Sequence, residues 1–396
     1  MQNDAAGLTV PPSAAAPSGP QGGHGAASAL PHSGSPHAGM PALDDSAAHI
    51  SWFEFAPARL FYLPVVAYCA WLALRHRGAI LPTNANPALP YSGFVGESKF
   101  EVLNQVQGPA RQLIAPYRRI RRMDTDAATL DAARTAMTSL DLGFPIVAKP
   151  DLGMRGAGVQ LLKNQEDLQA YIRDFPHGGD FLLQELIDAE GEAGVFYVRQ
   201  PGEEKGRILS LTLKYFPRVT GNGKMTLRQL IDTDPRAGQL AHLYLDRHRN
   251  RLDTVIPKGQ SVRLAFAGNH CRGTIFRNGN DYITDAMTAS FDRIAHSIGE
   301  FFVGRFDVRF GDFSALQAGR GYRIIEINGA GGEATHIWDS RTRLHEAYAT
   351  LMTQFRHLYE IGAQNRARGF APPRLKDFLK AWTKERKLTA NYPVTH

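Results

Sequence analysis

The chain has 396 residues, 43% of them hydrophobic and 21% charged, with a formal net charge of +7. That is enough apolar material for a sizeable core in more than one lobe, which excludes a wholly disordered chain and a small stapled domain. Two cysteines, Cys69 and Cys271, make neither a disulfide framework nor a thiolate metal cluster, so a reducing, cytoplasmic setting is expected.

Residues 1–48 are rich in Pro, Gly, Ala, Ser and His and contain no Lys or Arg. Lacking an apolar period, they are expected to form a disordered leader; lacking a basic start followed by an apolar run, they do not read as a signal peptide. Positive charge is concentrated downstream, in Arg111, Arg118, Arg119, Arg121 and Arg122 and again over residues 366–387. Either cluster suits an anionic lipid surface, an acidic substrate or nucleic acid, or is a solvated face. No zinc-finger spacing or aromatic-basic strand motif favours nucleic acid.

Residues 49–124 read as a helical, apolar region. The uncharged run from Leu60 to Leu74 has 15 residues, short of the roughly 20 that span a bilayer. An interfacial helix, burial against the rest of the protein and an oligomer contact all remain open for it. The segment 97–122 is expected to be helical, with Ser98 as N-cap and Glu101 at N3; Lys99 in the same segment is a candidate phosphate contact.

From residue 125 the pattern changes. A helix over 126–140 precedes a strand from Phe144 to Lys149, then a loop carrying Gly153, Arg155, Gly156 and Gly158, then a helix over 165–174. Such glycines let a loop turn its amides toward phosphate oxygens, while Lys149 and Arg155 supply positive charge. The loop has neither the Walker spacing nor the order Gly-x-Gly-x-x-Gly, and alone it could be an ordinary turn. The next strand, 181–187, brings Glu185, Leu186 and Ile187, whose backbone could read an adenine edge. Glu192 follows seven positions after Glu185 and could accept ribose hydroxyls. Lys214 interrupts the apolar strand 208–215, which is costly unless an anion compensates it or the side chain snorkels outward.

Two later strands carry hard oxygen ligands. Arg305, Asp307 and Arg309 share one strand face by parity, and Glu326 and Asn328 share one face of another. Two carboxylates and an amide oxygen suit Mg²⁺ held together with nucleotide phosphates.

In this order, the lysine, glycine loop, acidic pair and Asp/Glu-x-Asn set resemble the ATP-grasp superfamily, especially carboxylate-amine ligases of the D-alanine:D-alanine ligase type. The resemblance covers about 125–350. It implies an α/β, two-lobed fold of the α+β kind, here with an atypical helical N-terminal region in place of the usual front lobe. It further implies ATP and Mg²⁺ as cofactors: Lys149 and Lys99 on phosphates, residues 153–159 as a lid, Glu185 and Glu192 on the adenine and ribose. Asp307, Glu326 and Asn328 would be metal ligands, with Arg305, Lys214 and Arg309 as catalytic cations. The implied reaction joins a small-molecule or peptide carboxylate to an amine through an acyl phosphate.

Residues 351–396 read as a basic helical extension. Leu375, Phe378, Leu379 and Trp382 follow helical spacing among Arg374, Lys376, Lys380, Lys384 and Lys387, which suits an anionic membrane surface or a homo-oligomer contact.

Overall fold

The computed structural model describes residues 37–43, 50–153, 156–266, 268–269, 273–393 and 395. Most of the expected leader, together with Arg155, His270 and Cys271, lies outside the described residues. Residues 37–43, which composition assigns to the leader, are docked on the core: Phe313 N donates to Gly39 O at 2.9 Å and Tyr215 OH to Pro41 O at 3.0 Å.

The N-terminal region is helical, as expected, through α1 (Ala58–Phe61), α2 (Leu63–Arg75) and α3 (Lys99–Gln105). Ser98 caps α3, accepting from Glu101 N at 3.1 Å. The expected helix 97–122 stops there. Gly108, at φ +61°, is followed by Pro109, and Tyr117–Arg121 form strand β1, with Tyr117 buried in one apolar cluster and Ile120, on the opposite face, in another. A left-handed glycine before a proline cannot continue an α-helix.

After α4 (Asp126–Ser139) come β2 (Ile146–Pro150), β3 (Gln160–Leu162), α5 (Gln165–Asp174) and β4 (Asp180–Glu185). Strands β1–β4 form an antiparallel sheet in the order β1-β4-β2-β3, with Leu168, Tyr171, Ile172 and Ala133 of the two helices packed on it. A second antiparallel sheet collects β5 (Gly191–Val198), β6 (Arg207–Tyr215), β9 (Ile275–Asn278), β10 (Val303–Phe310) and β11 (Tyr322–Asn328), ordered β11-β10-β5-β6-β9. Between β6 and β9, the two-stranded β7 (Arg218–Thr220) and β8 (Ser261–Arg263) share an apolar cluster with α6 (Leu227–Thr233) and α7 (Ala241–Arg247). The fold is thus mixed α/β with several antiparallel sheets.

Helix α8 (Asp285–Ser297) buries Phe291 and Ile294 against Phe306 and Val308, so the apolar face of β10 faces the core. Short α9 (Phe313–Gln317) follows, then α10 (Leu344–Ala367) and α11 (Leu375–Thr389). The expected boundary at 350 falls inside α10, which packs on α2 through Leu351 and Phe355. No helix among the described residues is long and apolar enough to cross a membrane.

Candidate nucleotide cleft and metal-ligand set

The register of the larger sheet assembles the site. Asp307 pairs with Glu326 and Arg305 with Asn328 across β10 and β11; Arg309 pairs with Glu192 on β5, and Glu192 with Lys214 on β6. The pairing of β10 with β11 shifts after Asp307, passing over Ile325. The bulge matters because Lys149, from the other sheet, donates to the Ile325 carbonyl at 2.6 Å and to Gln184 Oε1 at 2.7 Å. A buried lysine therefore bridges the two sheets. Burial pushes its pKa down to about 8, against the opposing field of Glu326.

Asp307 is the electrostatic hub. Its Oδ1 accepts from Lys214 at 2.8 Å, and its Oδ2 accepts from Arg305 at 3.0 Å and from Asn328 Nδ2 at 3.1 Å. Burial alone would raise its pKa, but Arg305 and Lys214 outweigh it and hold the carboxyl down at about 2. Gly194 opposite makes the cluster possible: a Cβ there would sit 3.2 Å from both Arg305 Cδ and Asp307 Oδ1.

Val147, Lys149, Gly156, Val159, Glu185, Leu186, Ile187, Glu192, Lys214, Arg305, Asp307, Arg309, Glu326 and Asn328 line one cleft between the sheets. Its lining combines apolar side chains such as Val147, Leu186 and Ile187 with the cations Lys149, Lys214, Arg305 and Arg309. Gln184 Nε2, also on the cleft, is buried without a hydrogen-bond partner among the described residues, a donor waiting for an acceptor.

Lys99 and Gly153 sit beside this cleft and line a smaller space with Glu326 and Asn328. Lys99 Nζ lies 3.7 Å from Glu326 and donates to Gly153 O at 2.5 Å. Nothing in the sequence pattern singles out Gln184 or Glu97. The latter accepts from Gly329 N at 2.8 Å, and desolvation pushes its pKa up to about 8.

Two placements differ from expectation. The Glu192 carboxylate is buried and engaged by Lys214 at 3.0 Å and Arg309 at 2.8 Å, which keep its pKa low in spite of burial. It braces the cationic floor of the cleft, and its Oε2, ion-paired with Arg309, has no hydrogen-bond partner among the described residues. Gly158, at φ +71°, turns its amide away from the cleft to Thr395 Oγ1 at 2.9 Å, while the same hydroxyl donates to Gly156 O at 2.8 Å. Gly153 and Gly156 also have positive φ, 110° and 68°, so the loop does need its glycines.

Among the described residues no group of three or more His, Cys, Asp or Glu gathers into a metal centre. Asp307, Glu326 and the Oδ1 of Asn328 form a sparser set of hard oxygens, which fits Mg²⁺ because that ion keeps positions for water and phosphate. Glu326, with 29% of its side chain exposed and a 3.7 Å ion pair, is the least committed of the three.

No family model matches the chain, and no curated protein matches it. Among solved structures it is similar to a bifunctional glutathione synthetase from Pasteurella multocida, at 15% identity over 66% of this chain and 38% of that one, with a TM-score of 0.33. It is also similar to the D-cycloserine synthetase DcsG, at 11% identity over 65% of this chain and 70% of that one, with a TM-score of 0.36. The chain thus spans well under two thirds of the length of the glutathione synthetase.

Proposed function

We propose that the protein is an ATP- and Mg²⁺-dependent carboxylate-amine ligase of the ATP-grasp kind. The observation that carries this reading is the convergence of Lys149, Lys214, Arg305 and Arg309 with Asp307, Glu326 and Asn328 along one cleft between two sheets. A second cavity opens from the same Lys214, Arg305 and Asn328. Phosphoryl transfer asks for positioned charge and no side-chain nucleophile, and this is what the cleft offers.

In this reading the γ-phosphoryl group of ATP passes to a substrate carboxylate oxygen, giving ADP and an acyl phosphate. An amine nitrogen then attacks the acyl carbon, the carbon–oxygen bond to phosphate breaks, phosphate leaves with the electron pair, and the nitrogen gives up one proton to the departing phosphate or to solvent. Lys149 holds the phosphates from the sheet junction, and Arg305 stands between the cleft and the second cavity, where it meets negative charge developing on the acyl oxygen. Bound by Asp307, Glu326 and Asn328, Mg²⁺ would supply neutralising charge to the phosphates. The test is mass spectrometry of purified protein with ATP, Mg²⁺ and fractionated cell extract. A condensed product with ADP and phosphate, lost in Glu326→Gln, supports the ligase. A phosphorylated product without condensation would replace it with a phosphotransferase, and absence of turnover with a nucleotide-binding scaffold.

The substrate is met, in the same proposal, at an anionic membrane surface. Leu60, Leu63, Val66, Trp71 and Leu74 are 49–80% exposed and recur at helical spacing on the side of α1 and α2 away from α10. Exposed Arg59, Arg75 and Arg77 flank them. An apolar stripe with a cationic border fits lipid headgroups of opposite charge. Cosedimentation with phosphatidylserine-containing vesicles, weakened by salt and by Trp71→Ala with Leu74→Ala, is the expected result. Self-association through this face without vesicle binding would overturn it.

A further inference from the structure

The second cavity, about 320 Å³, is walled by the helical region that stands where a front lobe would be expected. Phe61 ends α1 and Tyr62 links it to α2, Trp338 and Glu333 come from the segment after β11, and Phe276 from β9. A cavity of this size takes a small molecule. Arg305 lies on both its wall and that of the nucleotide cleft, so an occupant would lie next to the phosphoryl site.

Two carboxylates line the cavity, and they differ in kind. Glu54 is 6% exposed and held by Arg236 through contacts of 2.6 and 3.1 Å, so its charge is compensated within the fold. Glu333 has no such partner: among the described residues its carboxylate forms no ion pair. Instead two neutral donors aim it, Tyr62 OH on Oε2 at 2.6 Å and Trp338 Nε1 on Oε1 at 2.9 Å. Arg305 donates to the Glu333 backbone carbonyl at 3.1 Å and pairs with Asp307, meeting the Glu333 carboxylate only through its longer-range field. A half-buried carboxylate oriented by two neutral donors has two further acceptor positions open to a cation from outside. The aromatic side chains around it add contact area for an apolar body.

We infer that this cavity is the amine subsite, and that its ligand is a small primary amine carrying an aromatic or aliphatic body, with the ammonium on Glu333. The inference rests on the ligase reading for what becomes of the amine, and on the cavity alone for its binding.

The test therefore needs no turnover. Ligand-observed NMR titration of the full chain compares 2-phenylethylamine with 2-phenylethanol, which has nearly the same shape and no charge. The amine binds at least tenfold more tightly, Glu333→Gln removes that preference while leaving the alcohol unchanged, and Tyr62→Phe weakens the amine only a few-fold. Equal binding of the two probes, or a preference that survives Glu333→Gln, would overturn the inference. A variant that merely melts earlier, with the amine-to-alcohol ratio intact, marks Glu333 as a brace for the N-terminal helices and overturns it as well. ATP turnover with carboxylate pools, followed in the same preparation, decides the ligase reading separately.

Discussion

Asp307 and Glu326 face each other across two strands but carry different burdens, and the difference predicts different mutants. Asp307 is 3% exposed and anchors Lys214 and Arg305, so Asp307→Asn leaves buried cations underpaired and costs about 3 kcal/mol of stability as well as turnover. Among the described residues, the one ion pair of Glu326 is the 3.7 Å contact with Lys99. Glu326→Gln is expected to lower kcat roughly a hundredfold while Tm stays within about 2 °C; steady-state kinetics and a melting curve on both variants check the contrast. Lys149 predicts the pH dependence. Its pKa lies near 8, because burial disfavours the charged form, and phosphate binding favours that form. Nucleotide affinity should be full below pH 8 and fall above it, by up to about tenfold per pH unit. Ionisation of Glu97 near the same pH adds repulsion in the same direction, so calorimetric titration of ADP at pH 7 and pH 9 should give the weaker binding at pH 9, with a shallower slope in Glu97→Gln. Lys149, Asp307 and the Glu-x-Asn pair were legible in the sequence because strand parity and a lysine before a glycine loop are local signals. Gln184 was not, since its role comes from a partner 35 positions away.

The glycine loop and the chain's end form one element in space. Thr395 bridges Gly156 and Gly158, and Tyr392 stacks on Phe175 with ring centroids 5.4 Å apart. Thr395→Val removes both hydrogen bonds for a local cost of about 1 kcal/mol. Amide exchange at residues 156–159 should quicken several-fold and the KM for ATP should rise, with kcat little changed; unchanged exchange would show that the loop holds itself. Helices 126–140, 165–174 and 374–388 were readable to within a residue or two at each end because their caps and periodicity are local. The misread stretch 97–122 shows the limit of such signals. Its arginines and apolar residues suit either a helix or a strand edge, and the outcome was decided by Gly108, Pro109 and pairing with a strand over 60 residues away, Tyr117 opposite Gln184.

At the scale of the whole molecule, the two sheets are joined at the site itself. Lys149 spans them, Lys99 and Ser98 tie the N-terminal region to the loop and to Asp151, and Glu385 of α11 accepts from Gly96 N at 2.6 Å. Nucleotide binding should therefore stabilise the whole chain, not one lobe: saturating Mg·ADP raises the melting temperature as a single transition, and a split transition would mean the lobes respond independently. That the helical region walls a second cavity was not legible, because an apolar run reports burial or lipid contact without naming the surface it meets. The central claim is that the cleft activates a carboxylate, and hydroxylamine tests it most directly. Hydroxylamine, a small uncharged nucleophile at neutral pH, converts an acyl phosphate to a hydroxamate without needing the amine subsite. Incubated with ATP, Mg²⁺ and a pooled carboxylate library, the wild-type protein should yield an ATP-dependent hydroxamate that Glu326→Gln does not. ATP consumed with no hydroxamate from any carboxylate, or a hydroxamate that survives Glu326→Gln, would contradict the account.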